Sequence, residues 1–287
     1  MKTVAEGFST FLSNLTPTTS QREATASHRS SIRSALEAHF KVNNFFESGS
    51  FSNGTGIRYY SDVDGFASIG LDKPLSSDTA LGWVKGALVA RFPTTTVRVS
   101  RPAVVVEFGS GSETWEVIPA FLTGRGTASQ RVYDIPGPSS GWMDSAPKEH
   151  LAYVNECNQA PSVGNAKALA RLAKAWKYYC NVPISSFYLE MRAAQHVATQ
   201  TSYIHVWDIC QLLEKLVSHQ LASMNDPREA SGRFAACSTD ARKEDALSKL
   251  DTGATRARKA LDAYNDGRLD TAFHYLNLLY ANQFPAR

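Results

Sequence analysis

The sequence predicts an α+β protein in two parts, a mixed α/β half over residues 1–148 and an all-helical half over residues 149–287. Between residues 57 and 118, apolar residues fall in short alternating or β-branched runs, the signature of strands. After Pro147 they recur every three or four residues, the signature of amphipathic helices. The length of 287 residues gives room for one large or two ordinary domains, at roughly 100–200 residues each.

The elements follow in order. Residues 1–18 are mixed and end in a Pro/Thr/Ser cluster. Ile32, Leu36, Phe40 and Phe45 predict a helix over 21–46, which Ser48-Gly49-Ser50 breaks. Residues 57–70 alternate polar and apolar side chains and predict a strand. Leu81, Val84 and Leu88 mark a helix over 78–91. Three strands are expected next, over 96–99, 103–108 and 114–118, the last two joined by a hairpin at Gly109-Ser-Gly-Ser112. Residues 122–147, rich in Gly, Pro and Ser, read as one long connection. Helices are expected over 148–158, 163–180, 184–199, 203–223, 238–265 and 268–280, with a loop at Asp226-Pro227.

Composition excludes several classes. At 43% apolar and 20% charged residues the chain is globular, not disordered. A net charge of +3 does not suggest a protein that coats duplex DNA, because phosphate affinity comes from clustered Lys and Arg. No apolar run reaches the roughly 18 residues of a membrane span. The N-terminus has no apolar stretch of the kind a secretory leader needs. Cys157, Cys180, Cys210 and Cys237 form no Cys-x-x-Cys pair, so no zinc ribbon is expected and the thiols read as reduced. A cytoplasmic location is the expectation.

The chemistry is carried by three features in order: Gly49-Ser50, then Asp62-Val-Asp64 after an eleven-residue gap, then Glu116 within Thr114-Trp-Glu-Val-Ile-Pro-Ala120. Residues two apart on a strand share a sheet face, so Asp62 and Asp64 are expected side by side with Val63 opposite. Two carboxylates that close repel unless a cation lies between them. Mg²⁺ prefers hard oxygen ligands and takes one or two carboxylates plus substrate phosphates. Glu116, between apolar Trp115 and Val117, is expected to face away from them and to complete a site for two ions. Gly49-Ser50 lets backbone N–H groups approach a phosphate, with the Ser50 hydroxyl as a further donor. Taken singly, each feature is an ordinary surface element; the ordered set is what is specific.

At these residues the chain resembles the polymerase-β-like nucleotidyltransferase superfamily. Within it, the chain is most similar to the cGAS/DncV-like nucleotidyltransferases of bacterial antiphage signalling. Gly49-Ser50…Thr55-Gly-Ile57…Ser61-Asp62-Val-Asp64 looks like that family's first block, and Trp115-Glu116-Val-Ile-Pro119-Ala-Phe121 like its third-carboxylate block. Ile135-Pro136…Gly141-Trp142…Pro147…His150 resembles its connecting segment, and Asn277-Leu-Leu279-Tyr…Phe284-Pro285 its ending. The resemblance runs from about residue 30 to the end. One departure is Glu116, where many relatives carry Asp; the extra methylene bears on metal geometry.

The resemblance implies a polymerase-β-like core with a mixed sheet and a C-terminal helical bundle, the active site lying in the cleft between them. It implies Asp62, Asp64 and Glu116 as catalytic metal ligands for two Mg²⁺ or Mn²⁺ ions, and Gly49 and Ser50 as nucleotide-binding residues. In the helical half, Lys167, Arg171, Lys174 and Tyr178 make a stripe beside the core stripe of Leu169, Leu172, Ala173 and Trp176. By the same match Lys174 and Ser186 would hold the donor triphosphate, and Phe187 would stack on a base. The implied activity is template-independent synthesis of a cyclic di- or trinucleotide from NTPs with release of pyrophosphate. A downstream effector would sense the product. The lack of a zinc ribbon and of a strong basic patch argues against a duplex DNA activator, and the lack of a long apolar run against a membrane partner. The same carboxylates would equally serve transfer of a nucleotide to a protein, tRNA or small molecule, synthesis of a linear oligonucleotide, or a nucleotide sensor weak in catalysis. His196 and His205 lack metal-ligand spacing and read as surface or satisfied side chains.

Overall fold

The computed structural model describes residues 1–60, 62–127, 130–159 and 164–287. The chain divides into two compact units. A core unit gathers residues 17–151 and 227–232, and a helical unit gathers 1–16, 152–226 and 233–287.

The first helix, α1 (Val4–Asn14), opens with a capping box in which the Thr3 hydroxyl accepts from the Glu6 N–H and the Glu6 carboxylate accepts from the Thr3 N–H. The sequence places residues 1–16 with the core, but in the structure they belong to the helical unit. Phe8 and Phe11 are buried against Phe284, and Phe11 also packs on Tyr280. Arg171 then donates to the Leu12 carbonyl and the Thr16 hydroxyl, satisfying acceptors at the end of α1.

In the core unit, α2 (Thr19–Glu37) starts with a second capping box, Thr18 with Gln21. It ends nine residues before the helix expected over 21–46 would. Phe45 and Phe46 lie instead on β1 (Val42–Ser48), and they point to opposite faces. Phe45 packs over Trp115 and Phe46 over Phe66, so each serves a different core. A short helix, α3 (Gly49–Ser52), follows directly, so Gly49-Ser50 follows a strand rather than a helix. Then come β2 (Val63–Ile69), α4 (Ser77–Arg91), β3 (Thr96–Ser100), β4 (Ala103–Phe108) and β5 (Glu113–Leu122). A 3-10 turn at Gly109–Gly111 makes the expected hairpin between β4 and β5.

The stretch expected as a plain connection carries a further hairpin of β6 (Tyr133–Pro136) and β7 (Trp142–Ser145); Ala128 and Ser129 lie outside the described residues. Strand order is β1-β2-β5-β4-β3, with β6 pairing to β5 and β7. The pair β2–β5 is parallel and the others are antiparallel, so the sheet is mixed. One face packs on α2 and α4 through Ile32, Leu36, Leu81, Val84, Trp115 and Val117. The other carries a smaller cluster of Phe66, Ala120, Tyr133 and Ile135 at one end.

The boundary expected at residue 148 falls in the first turn of α5 (Pro147–Gln159). The helix expected over 163–180 is α6 (Asn165–Tyr179), residue 163 lying outside the described residues. The helical unit continues with α7 (Ser186–Ala198), α8 (His205–Ser218), the two-residue strands β8 (Met224–Asn225) and β9 (Arg233–Phe234), α9 (Asp240–Asn265) and α10 (Leu269–Leu279). Leu169, Leu172, Ala173 and Trp176 are buried, as their spacing requires. Gly253 of α9 lies against Trp176, where a Cβ would come within 2.7 Å of the indole nitrogen. His196 is buried and bonded to Asp208, and the His205 ring is bonded to the Tyr203 hydroxyl. Among the described residues no helix is long and apolar enough to cross a membrane.

Candidate active site

Strand register assembles the carboxylates. Asp64 on β2 pairs directly with Glu116 on the parallel β5. The same row runs on to Ser48 of β1 on one side, and to Val105 of β4 and Arg98 of β3 on the other. Val63, Trp115 and Val117, one residue out of step, are buried on the opposite face. The alternation expected from the sequence therefore turns Glu116 away from its apolar neighbours. Asp62 lies one residue before β2 begins, exposed, and not on the strand as the sequence suggests; Ser61, part of the same motif, lies outside the described residues.

The electrostatics match this placement. Burial pushes the Glu116 carboxyl above the usual range, repulsion from Asp62 pushes it further, and Arg98 opposes both. Arg98 is also tied to Glu107 at 3.0 Å. Glu116 and Asp62 thus feel each other's charge, and a cation between them would relieve the repulsion.

Gly49 supplies the other wall. Its φ is +64°, and a Cβ there would sit 1.8 Å from Oδ2 of Asp64. No side chain fits without moving that carboxylate. The turn that follows is held by the Thr55 N–H donating to the Ser50 carbonyl and the Asn53 N–H donating to the Gly49 carbonyl. The Gly-Ser step is therefore a close backbone approach to Asp64.

The oxygen donors fit a hard divalent ion. Among the described residues no three or more His, Cys, Asp or Glu side chains form a ready-made cage. Ions here would take their remaining ligands from substrate phosphates, the usual habit of Mg²⁺.

In the helical unit the residues implied by resemblance separate. Lys174 is fully buried and paired with Glu190 at 3.5 Å. Ser186, first residue of α7, accepts from Lys177 Nζ at 2.6 Å and lies 3.1 Å from the Tyr178 hydroxyl. Lys177, which meets Ser186, lies off the stripe that spacing defines, one residue before Tyr178. Arg171, on that same stripe, is turned inward to the end of α1. Phe187 is 37% exposed, its ring 4.8 Å from that of Phe234. It is a surface aromatic and not part of the core.

The fold is shared with known proteins, and part of the chain matches a known family. Residues 1–158 match the family model of the Second Messenger Oligonucleotide or Dinucleotide Synthetase domain. A Bacillus cereus (strain VD146) protein described as a probable cyclic nucleotide synthase is 25% identical over 121 residues. That stretch is 42% of this chain and spans only 36% of the relative. The structure of Escherichia coli MS115-1 CdnC with ATP superposes with a TM-score of 0.77 at 16% identity, covering 98% of this chain and 99% of that one. Vibrio cholerae DncV, a cyclic AMP-GMP synthase solved with the linear intermediate 5' pppA(3',5')pG, gives 0.67 at 16% identity over 85% and 70%. The match over more than half its length places the chain in the Second Messenger Oligonucleotide or Dinucleotide Synthetase domain family, to which it belongs.

Proposed function

We propose that the protein joins NTPs without a template and closes the product into a cyclic di- or trinucleotide, a second messenger of antiphage defence sensed by a separate effector. The observation that carries this reading is the pairing of Asp64 with Glu116 across β2 and β5, with Asp62 close enough to raise the Glu116 carboxyl. Asp62, Asp64 and Glu116 would hold two Mg²⁺ or Mn²⁺ ions, which supply Lewis-acid polarisation of the phosphate and lower the pKa of a bound hydroxyl.

The chain's own residues then have distinct tasks. Glu116, whose carboxyl is pushed up by burial, accepts the proton of an acceptor ribose hydroxyl. The oxygen so freed bonds to the α-phosphorus of the donor, the bond from that phosphorus to the β-phosphate bridging oxygen breaks, and pyrophosphate leaves. Gly49 keeps Asp64 in place while the Ser50 hydroxyl donates to phosphate. On the helical unit, Ser186 with Lys177 forms a donor pair for phosphate oxygens. Buried Lys174 holds Glu190 and fixes α6 to α7. Phe187, exposed beside Phe234, offers a face for a base.

The test is incubation with all four α-³²P-labelled NTPs and Mg²⁺ or Mn²⁺, followed by phosphatase. A phosphatase-resistant product, absent from Asp62→Ala/Asp64→Ala, is expected. Product that forms only when an acceptor protein or RNA is added would replace this reading with transfer to that acceptor.

A further inference from the structure

A cavity of about 410 Å³ opens in the core unit where Phe51, Arg58, Tyr60, Val63 and the turn at Ser112–Glu113 meet the first half of α2. Its volume lies within the usual range for a small-molecule site. Its wall includes Val63, which points away from Asp64; neither Asp64 nor Glu116 lines it. It therefore lies against the reverse side of the strand that carries the catalytic row. Asp62, just ahead of that strand, lines the cavity and belongs to the carboxylate set as well.

The lining selects a ligand class. The charged side chains that line it are one guanidinium, Arg58, and two carboxylates, Asp62 and Glu113. Glu113 is engaged by the Trp115 indole N–H at 2.7 Å and the His28 ring at 2.9 Å. A triphosphate would meet net repulsion here. Arg58 Nε is buried and has no hydrogen-bond partner among the described residues, a donor that a ligand acceptor would satisfy once the guanidinium turns toward the cavity. Phe51 and Tyr60 supply aromatic surface, and Ser20 and Gln21 supply hydroxyl and amide groups at the α2 side. An uncharged planar heterocycle with ring acceptors and a polyhydroxyl substituent answers each of these features.

We propose that this cavity is a second small-molecule site, on the reverse side of the catalytic sheet and sharing Asp62 with the carboxylate set, that takes an uncharged purine nucleoside. Binding there does not depend on the nucleotidyltransferase reading; its effect on turnover, transmitted through Asp62, rests on that reading.

Calorimetric titration of adenosine, guanosine, cytidine and uridine into the full chain tests it. A purine nucleoside is expected to bind, and to stay bound when Mg²⁺ and a non-hydrolysable ATP analogue are saturating. Ala24 lies on the exposed side of α2 and lines the cavity, so Ala24→Trp fills it without touching the core. Ala24→Trp and Arg58→Gln are each expected to weaken binding at least about tenfold, with thermal melts confirming that both are folded. Glu116→Gln should bind the nucleoside as the parent does while losing synthesis. If no nucleoside binds, if the ATP analogue displaces it competitively, or if Ala24→Trp binds undiminished, the site is overturned. Loss of synthesis alone would count against the proposed function and leave the nucleoside site standing.

Discussion

Gly49 and Asp64 occupy the same space to within one side-chain carbon: a Cβ on Gly49 would lie 1.8 Å from Asp64 Oδ2 and 2.6 Å from its Cγ. Ser48, the residue before, is the register partner of Asp64. The glycine is thus needed twice, for its positive φ and for the room it leaves a carboxylate. Gly49→Ala is expected to cost about 1–3 kcal/mol in stability for the left-handed backbone. It should cost activity far more, on the order of a hundredfold, because the shifted carboxylate misplaces the reacting groups. Urea unfolding and the labelled-NTP assay measure the two losses. Near-parental synthesis by a folded Gly49→Ala protein would remove Asp64 from the role given to it.

Glu116 sets stability against function. Its carboxyl is raised by burial, then by Asp62, with Arg98 pulling the other way. A carboxyl raised on folding stabilises the fold below its unfolded value, and that contribution is lost as pH rises through the folded value. Near neutral pH the ionised side chain therefore strains the metal-free protein. Glu116→Gln should melt higher than the parent in EDTA at neutral pH, with the gap closing in acid, and should make no product. Arg98→Ala should raise the carboxyl further and move the acid limb of the activity profile to higher pH. An acid limb that stays put in Arg98→Ala would show that Glu116 does not govern it.

What was readable from the residues and what was not differ for physical reasons. The carboxylate row was readable because period-2 alternation between Trp115 and Val117 leaves Glu116 one choice of face. Strand β1 was hidden because adjacent Phe45 and Phe46 serve two separate cores, which removes the alternation that marks a half-buried strand. The partner of α1 was hidden because Phe8 and Phe11 would suit any apolar surface, and only tertiary packing brings Phe284 and Tyr280 to them. Among the basic residues of α6, spacing defines a stripe but not its neighbours. Burial turns Lys174 toward Glu190 and leaves Lys177 to meet Ser186.

That last distinction is testable. Lys174→Ala removes one partner of a buried ion pair with Glu190, a loss of up to about 3–5 kcal/mol, so the variant should melt lower whatever its kinetics. Lys177→Ala should melt near the parent and raise KM for NTP on the order of tenfold, the value of a charge-assisted bond to phosphate. Thermal melts and kinetics on the pair of variants decide it. A Lys177→Ala protein with parental KM would return the phosphate role to Lys174.

The hairpin of β6 and β7 stores a charge problem that one arginine resolves. Asp134 and Asp144 are directly paired across it, like charges in a position that ordinarily destabilises a sheet. Arg125 bonds both carboxylates, and Lys73 bonds Asp134 from the other side. Burial works to raise the Asp134 carboxyl, but the Lys73 and Arg125 bonds outweigh it and hold the group below the usual range. A lowered carboxyl contributes stability above its unfolded value, lost as pH falls through the folded one. Arg125→Ala should therefore destabilise the protein most near neutral pH, where Asp134 is ionised and has lost one of its two cationic partners, and the deficit should shrink in acid as Asp134 protonates. Arg125→Ala/Asp144→Asn should recover much of the loss at neutral pH by removing the opposed charge. Denaturant unfolding of the parent and both variants at neutral and acid pH measures this. A deficit independent of pH, or no recovery in the double variant, would mean that Arg125 acts through packing and not through the aspartate pair.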